Sequence, residues 1–297
     1  MYKTLFFVAI ATIFLSCAEE EEDFYKSYSL SKPLAEQIPD ANFRKAIERG
    51  GMNAIDLNDD DVITLDEVEV YDGKLDLSHS YQTENPITDL TGIALFVNLT
   101  ELNCSGHALT SIDISSNLNL VELRCTNNLM TSLDVSNNQL LQWLYCSENT
   151  LSSLDLSSNK KLRTLFCGQN KLESLDLFAN TSLYTIYCEE NQLEELIVPP
   201  FEISEDSSSI LEINCSNNKL SQIDLSEAKH LSTLKIVDNR LTHLDLSYQN
   251  SLYWLHLNGN GSLTCIKINE RQNPYSSTYE WYFDSYMEFS ENCESNE

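Results

Sequence analysis

Cysteine is the chemically reactive residue that this sequence repeats most regularly. Five cysteines recur at a spacing of 21 residues: Cys104, Cys125, Cys146, Cys167 and Cys188. A sixth, Cys215, lies in the same register of a later repeat. There are no paired CxxC motifs, so the spacing is not that of a zinc site. In two later repeats Ile236 and Leu257 occupy the position of the cysteine. This exchange indicates that the cysteines are small apolar residues of the core, and that their buried thiols are inert.

The acidic segment 56–67 has the pattern of a calcium-binding loop. A twelve-residue EF-hand loop takes oxygen ligands from positions 1, 3, 5, 7, 9 and 12, the seventh through a backbone carbonyl. Those positions are occupied here by Asp56, Asn58, Asp60, Val62, Thr64 and Glu67. Position 6, normally glycine because of a positive φ, is Asp61, and the loop is single. The alternative is an acidic turn before the repeats, but the ligand pattern favours calcium.

Catalysis has little support in the sequence. No phosphate loop, HExxH motif or GxSxG motif is present. The histidines are dispersed without a nucleophile motif beside them: His79, His107, His230, His243 and His256. We therefore expect a protein that is not an enzyme.

The elements that must position these residues are repeats of 21 residues. Residues 120–140 read LVELRCTNNLMTSLDVSNNQL, and similar lines follow at 141–161 and 162–182. A Leu-x-x-Leu-x-Cys-x-x-Asn core at this period predicts a leucine-rich-repeat solenoid. The interval from Leu183 to Ile210 is 27 residues, so this coil carries six extra residues, which we expect in a surface loop.

Charge restricts the partners. Lys and Arg total 18 and Asp and Glu total 46, which gives a formal net charge of −28. Phosphate binding needs clustered cations, so nucleic acid is not an expected partner. Cationic ligands and divalent metal are favoured instead.

The N-terminus has the pattern of an exported lipoprotein. Residues 1–16 contain a short apolar run typical of a signal peptide, and Phe14-Leu15-Ser16-Cys17 resembles a bacterial lipobox. That resemblance implies lipidation of Cys17, whereas the alternative is an ordinary signal peptide. The acidic run 18–23 resembles an export signal of Gram-negative surface lipoproteins, so we expect an outer-membrane lipoprotein exposed at the cell surface. A periplasm-facing anchor is the alternative.

Both ends of the repeat array have their own patterns. Residues 39–51 predict a short helix capped by Asp40, and the aromatic segment 261–297 predicts a C-terminal cap closed by a Cys265–Cys293 disulfide. The ladder cysteines should stay reduced, because parallel strands lie ~4.8 Å apart and a disulfide needs a Cβ separation of ~3.8 Å.

The predicted organisation is 1–16 signal peptide, 17–37 lipidated Cys and acidic linker, 38–74 N-terminal cap with the EF-hand-like loop, 75–260 repeats and 261–297 C-terminal cap.

The repeat, with its cysteine ladder, resembles bacterial leucine-rich-repeat proteins of the internalin type. The resemblance covers about 38–293. It implies an asparagine, three residues after each ladder position, that turns inward and bonds neighbouring backbone, with His107 replacing it in the first regular coil. It also implies non-catalytic binding of a macromolecule at the cell surface, often in adhesion. We expect a monomer that recognises a protein ligand. A glycan ligand, or a structural envelope protein without a ligand, are the alternatives.

In such a coil the stretch Leu-x-x-Leu-x-Cys forms the strand of the concave face, and the residues between point outward. Aromatic side chains gather there: Tyr145, Phe166 and Tyr187 occupy consecutive rungs. Exposed aromatic clusters mark binding sites, although cross-strand aromatics can also simply stiffen a sheet. The predicted ligand-binding residues are Arg124, Trp143, Tyr145, Phe166, Tyr187, Lys235, Trp254 and His256.

A second ladder, of aspartates, lies on the return side of the coils, which is the side opposite the strands of the concave face. Its members are Asp113, Asp134, Asp155, Asp176, Asp224 and Asp245. One carboxylate per coil lacks the convergence that a metal site needs. We therefore expect these carboxylates to accept backbone N–H bonds at a solvated edge, rather than to form a stripe of divalent-ion sites.

Overall fold

The computed structural model describes residues 37–50, 55, 64–78, 85–200, 211–276 and 279–293. The predicted signal peptide, the lipidated Cys17 and the acidic linker lie outside these residues. So do four of the six predicted calcium ligands, namely Asp56, Asn58, Asp60 and Val62. No helix in the described ranges is both long and apolar enough to span a bilayer.

The protein is a solenoid whose coils each add one strand to a parallel sheet of ten strands, here called the long sheet. In spatial order its strands are β1 (Lys74–Asp76), β2 (Glu101–Asn103), β3 (Glu122–Arg124), β4 (Trp143–Tyr145), β5 (Thr164–Phe166), β7 (Thr185–Tyr187), β9 (Leu211–Asn214), β10 (Leu231–Lys235), β12 (Trp254–His256) and β14 (Glu280–Tyr282). Smaller parallel sheets on the return side pair β6 (Ser174–Asp176) with β8 (Glu195–Ile197), and β13 (Cys265–Lys267) with both β11 (Leu244–Asp245) and β15 (Glu288–Ser290). The predicted leucine-rich-repeat fold is therefore confirmed.

The interior of each coil is built from the repeat's own apolar positions. On β3, for example, Leu123 points inward while Glu122 and Arg124 point outward, and Leu123 pairs in register with Leu102 and Leu144 of the adjacent coils. The six ladder cysteines are buried and unbridged. Burial raises the pKa of Cys104, Cys146 and Cys215 to about 12. These thiols are therefore neutral core groups, as the sequence predicted.

The predicted asparagine ladder joins each coil to the one before it. The Oδ1 atom of Asn149 accepts the N–H of Met130 at 3.0 Å, and its Nδ2 donates to the carbonyls of Cys125 at 3.0 Å and Cys146 at 3.2 Å. The preceding residue, Glu148, has a φ of 55°, so the chain turns sharply here. Backbone groups in such a buried turn have lost water and need these partners.

His107 takes the place of the asparagine in the first regular coil and keeps two of its functions. The N–H of Ile87 donates to Nδ1 at 3.2 Å, and Nε2 lies 2.7 Å from the carbonyl of Leu77. The ring therefore reaches the backbone of two segments, but it has no second N–H like that of the Asn128 amide, which reaches a further carbonyl.

A second amide column, on the opposite turn of the coils, was not anticipated from the sequence. Asn138 is fully buried, and its Nδ2 donates to the carbonyls of Ile114 at 3.1 Å and Asn117 at 2.9 Å. The same arrangement recurs in neighbouring coils, and glutamine takes over near the C-terminus. Its members are Asn117, Asn138, Asn159, Asn180, Gln249 and Gln272.

Both ends of the array are covered. Helix α1 (Ala41–Gly50) is capped by Asp40, whose Oδ1 accepts the N–H of Asn42 at 2.7 Å. The Oδ2 atom of Asp40 accepts the N–H of Thr88 at 2.9 Å. The same carboxylate therefore joins the helix to the first coil. A second helix, α2, spans Leu65–Val70, and a 3-10 turn spans Ile93–Leu95. At the other end the predicted disulfide is confirmed, with the Cα atoms of Cys265 and Cys293 separated by 5.8 Å.

Candidate binding surface

Three aromatic side chains form a continuous column on the outer face of the long sheet. Tyr145, Phe166 and Tyr187, here called the aromatic ladder, pair in register on β4, β5 and β7. The ring centroids lie 5.2 Å apart for Tyr145 and Phe166 and 4.6 Å apart for Phe166 and Tyr187, with interplanar angles of 32° and 45°. The three rings are partly exposed, so the sheet presents an apolar patch within an acidic surface.

The N-terminal end of the aromatic ladder is covered by Arg124. Its guanidinium lies 4.2 Å from the centroid of the Tyr145 ring, and its Nε donates to a carboxylate oxygen of Glu122. A guanidinium over an aromatic face is a favourable cation–π contact. The outer face of Tyr145 is therefore already occupied by a residue of the chain itself.

The C-terminal end of the ladder is different. The residue in register with Tyr187 is Asn214, whose Oδ1 accepts the N–H of Ser216 at 3.3 Å. Among the described residues, no second ring and no cation covers the face of Tyr187 that is turned away from Phe166. The Tyr187 hydroxyl donates to Glu212 Oε2 at 3.2 Å. Within the part of the chain that the structure describes, the ladder thus ends at one aromatic face that no ring or cation stacks on.

A second carboxylate, Glu189, lies on the other side of Tyr187. A Cβ atom at Gly168 would lie 2.9 Å from Glu189 Cδ, so the glycine leaves the space that this carboxylate fills. Glu189 Oε2 is buried and has no hydrogen-bond partner among the described residues. Burial raises the pKa of Glu189 above its usual value. The carboxylate is therefore desolvated, and the hydrogen bond from its own backbone N–H offsets that burial only in part, which is an unfavourable state for a charge.

Three other predicted site residues, Lys235, Trp254 and His256, form a separate group with Tyr282, here called the C-terminal aromatic cluster. His256 lies between Trp254 and Tyr282, with ring centroids 5.7 Å and 4.5 Å away, and Lys235 Nζ lies 5.8 Å from the Trp254 ring. Burial, and next the charge of Lys235, lower the pKa of His256. The rung of Asn214 separates this cluster from the aromatic ladder.

The eight predicted ligand-binding residues therefore do not form one site. Arg124 joins the aromatic ladder, whereas Lys235 belongs to the C-terminal aromatic cluster. Trp143 lies on β4 in the adjacent outward column, and in the described part of the chain no ring contact joins it to the ladder. Sequence reasoning missed Glu189 and Glu212. The only sequence signal for Glu189 was Gly168, a glycine at the position where the other coils have a side chain.

Of the predicted calcium ligands, the structure describes Thr64 and Glu67. The N–H and the hydroxyl of Thr64 both donate to Glu67 Oε2 at 2.8 Å, at the start of α2. A helix precedes the loop and another follows it, which is the order of elements in an EF-hand. Within the described ranges there is no group of three or more His, Cys, Asp or Glu placed to hold a metal. Calcium binding therefore stays a prediction.

Calorimetry of the full chain should show saturable calcium binding that Glu67→Gln abolishes or weakens about a hundredfold, because position 12 supplies the bidentate ligand. Glutamine keeps an oxygen for the bonds from Thr64, so α2 should still form. Glu69→Gln, on the same helix, is the matched control and should bind as the unaltered chain does. An unaltered chain that gives no calcium heat would rule the site out.

The aspartate ladder of the return side has the expected structural role. Asp134 Oδ1, for example, accepts the N–H of Ser136 at 2.9 Å. Bonds from the hydroxyl and the N–H of Ser136 hold the pKa of Asp134 below its usual value. The equivalent bond to the residue two positions on occurs at Asp113, Asp155, Asp176, Asp224 and Asp245.

This fold defines the class of protein: a leucine-rich-repeat solenoid with a buried cysteine ladder and a disulfide near its C-terminal end. Solved structures similar to it include internalins of Listeria monocytogenes, which confirms the resemblance in fold. Internalin C2 shares 18% identity over 76% of this chain and 96% of its own, with a TM-score of 0.60. The functional domain of InlJ, which includes a cysteine ladder, shares 24% identity over 86% of this chain and 71% of its own, with a TM-score of 0.38.

At these identities the likeness is one of fold alone. Internalin F is a further neighbour, with 19% identity over 88% of this chain and 98% of its own and a TM-score of 0.36. No family model and no curated protein matches the sequence. Function must therefore be argued from the surface itself.

Proposed function

We propose that this protein is a non-catalytic binding protein that recognises a protein ligand through the long sheet, at the aromatic ladder. The observation that carries the proposal is the outward position of Tyr145, Phe166 and Tyr187. The coil interior is already filled by leucine and cysteine, so these rings add nothing to the core. Large aromatic side chains on an exposed surface are the usual anchors of protein interfaces.

The packing of the ladder favours a protein over a glycan. A sugar ring binds by lying flat on an open aromatic face. In the ladder the neighbouring ring faces are turned to one another and the outer face of Tyr145 is covered by Arg124, so mainly ring edges and the tyrosine hydroxyls remain outward. Ring edges with polar tips suit a protein surface, where apolar contacts and hydrogen bonds alternate.

The proposed site of action is the cell surface of a Gram-negative bacterium, with Cys17 as the lipid anchor. The support is the pattern of the sequence: a short apolar segment ends at this cysteine, and an acidic linker follows it. His107 gives catalysis no support, since it is buried and bonds backbone through both ring nitrogens.

The test is capture of ligands from host and bacterial extracts, set against a glycan array, with the unaltered chain and with Tyr145→Ala/Phe166→Ala. We expect a protein to be captured and its affinity to fall at least about a hundredfold in the double variant, because each anchor contributes about 2 kcal/mol or more. The array should show no specific glycan. Loss of the ring contacts should lower the unfolding free energy by only about 1–3 kcal/mol, so the double variant should still fold.

The matched control is Phe178→Ala/Tyr248→Ala, which removes two exposed aromatic side chains of the return side that are 64% and 48% accessible. This control should bind as the unaltered chain does. A folded Tyr145→Ala/Phe166→Ala variant that keeps full binding would contradict the proposal. Specific binding of a glycan that requires the ladder would show that the ligand is a carbohydrate rather than a protein.

A further inference from the structure

We propose that the return side of the solenoid carries a second binding site, a groove beside β8 that accepts an extended, basic segment of a partner protein. This site is separate from the aromatic ladder and does not rest on the function proposed for it. The groove has a volume of about 930 Å³, near the upper end of the roughly 300–1,000 Å³ that ligand-binding pockets span.

The groove lies where two neighbouring coils separate. At the turn that follows the long sheet they are joined, because the N–H of Lys219 donates to the carbonyl of Leu193 at 2.9 Å. On the return side, β8 pairs with β6 alone. The stretch 222–228 of the next coil also lines the groove, and among the described residues no backbone hydrogen bond joins it to β8.

The second amide column is interrupted at the same place. Before the groove, Asn180 donates to the carbonyl of Leu156 at 3.0 Å, and after it Gln249 donates to the carbonyl of Leu225 at 2.7 Å. One repeat before Gln249 the position is occupied by Ala228, which is buried and has no side-chain donor. The amide that would reach back across the groove is therefore missing, which explains why the coils separate here.

The walls of the groove are apolar and accessible. Ile197 and Val198 on one wall and Ile223 on the other are partly exposed. Two aromatic side chains lie at its sides, Phe178 in the coil before β8 and Tyr248 in a later coil, and they are 64% and 48% accessible. An exposed apolar surface that is continuous over several coils marks an interaction site.

The charge around this apolar surface selects a basic partner. Glu194 and Glu195 are exposed, and in the part of the chain that the structure describes they take part in no ion pair. Glu227 lies on the opposite wall. Of the described residues that line the groove, only His243 can carry a positive charge. Lysine or arginine in the partner would therefore be attracted to the groove and acidic segments repelled.

The unpaired edge of β8 favours an extended peptide as the occupant. An edge strand presents backbone N–H and C=O groups with which an added strand can pair. Successive side chains of an extended peptide point to opposite sides. A segment in which apolar and basic residues alternate can therefore place its apolar side chains against Ile197 and Ile223 while its cations reach Glu194 and Glu195.

The probe is the blocked peptide acetyl-Lys-Val-Lys-Val-Lys-amide, added to the full chain with labelled isoleucine methyl groups. NMR follows the methyl signals of Ile197 and Ile223, which are identified by Ile197→Val and Ile223→Val. We expect the peptide to shift both signals saturably below about 5 mM. Two control peptides should bind about tenfold or more weakly. Acetyl-Glu-Val-Glu-Val-Glu-amide reverses the charge, and a lysine peptide methylated at every backbone nitrogen cannot donate to β8.

Phe178→Ala/Tyr248→Ala should weaken the lysine peptide about tenfold or more, because it removes both aromatic sides of the groove. The two side chains are exposed, so the chain should still fold. The same variant should keep its ligand at the aromatic ladder, whereas Tyr145→Ala/Phe166→Ala should keep the lysine peptide. Each proposal can therefore fail without the other.

Glu194→Gln/Glu195→Gln should weaken the lysine peptide about threefold or more, because each exposed ion pair contributes a fraction of a kcal/mol. The matched control is Glu148→Gln/Glu190→Gln, which removes the same charge at exposed positions outside the groove. Gln169 has the same backbone conformation at the corresponding turn, so glutamine is accepted there. This control should bind as the unaltered chain does.

Equal binding of either control peptide, or no shift up to about 5 mM, would overturn the inference. Equal losses in the two glutamate variants would do the same, because they would reveal non-specific attraction to an acidic surface. A neutral glycan that binds through Phe178 and Tyr248 in place of the peptide would make the groove a carbohydrate site. Peptide binding that appears only in Phe201→Ser/Ile203→Ser would show that the chain itself fills the groove, and would exclude a partner.

Discussion

Asn149→Ala should lower the free energy of unfolding by about 2–4 kcal/mol, one of the largest effects expected of any single polar substitution in this chain. The substitution leaves the buried N–H of Met130 without its side-chain acceptor, which costs about 1–3 kcal/mol. It also removes one of two amide donors from the carbonyls of Cys125 and Cys146, which keep Asn128 and Asn170, and each hydrogen bond lost in this way costs about 0.5–1.5 kcal/mol. Equilibrium unfolding in urea measures the loss.

The matched control for this prediction is Asn137→Ala. Asn137 also donates to a backbone carbonyl of the preceding coil, that of Ser115 at 3.3 Å, but it is exposed. Water can replace that bond, so the control should change stability by about 0.5 kcal/mol or less. Equal losses in the two variants would show that burial of the amide is not what makes the ladder stabilising.

Removing the C-terminal disulfide with Cys265→Ala/Cys293→Ala should cost about 3.5 kcal/mol, because the bond closes a loop over a separation of 28 residues. The bond also holds β13 and the segment after β15 together where the solenoid ends. Treatment of the unaltered chain with a reductant should produce the same loss, and the double variant should be insensitive to it. Urea unfolding with and without reductant measures both.

Cys146→Ala is the control that separates a bridge from a buried thiol. This ladder cysteine is unbridged, so its replacement should cost only about 1 kcal/mol of lost burial, with no dependence on reductant. Alkylation followed by mass spectrometry should leave the six ladder thiols unmodified in the folded chain and modify all six in urea. A reductant effect that persists in the double variant would mean that another disulfide contributes.

The fold was predictable because the sequence repeats with the same period of 21 residues as the coils of the solenoid. A leucine, a cysteine and an asparagine at fixed offsets specify the strand, the core and the turn of each coil, and Leu123, Cys125 and Asn128 occupy those places in the structure. The disulfide was predictable because Cys265 and Cys293 both lie outside the register near the C-terminus. The second amide column is equally periodic, but its residues lie in a polar stretch that looks like exposed turn.

The candidate site was predictable only in part. Register placed Tyr145, Phe166 and Tyr187 on consecutive rungs, because one coil adds one strand. Register does not say where a long, flexible side chain goes. Glu189 fills the space left by Gly168, and Glu212 reaches the Tyr187 hydroxyl, which are outcomes of packing rather than of spacing.

The asparagine ladder gives the solenoid a direction. Each amide reaches back: Asn149 satisfies groups of the coil that begins near Leu120, and Asn170 satisfies the N–H of Leu151 and the carbonyl of Cys146 one coil later. A coil is therefore complete only once its successor has folded onto it. During synthesis from the N-terminus, each newly made coil finishes the one before it, so the order of translation is also an order in which this chain can fold without leaving buried groups unpaired for long.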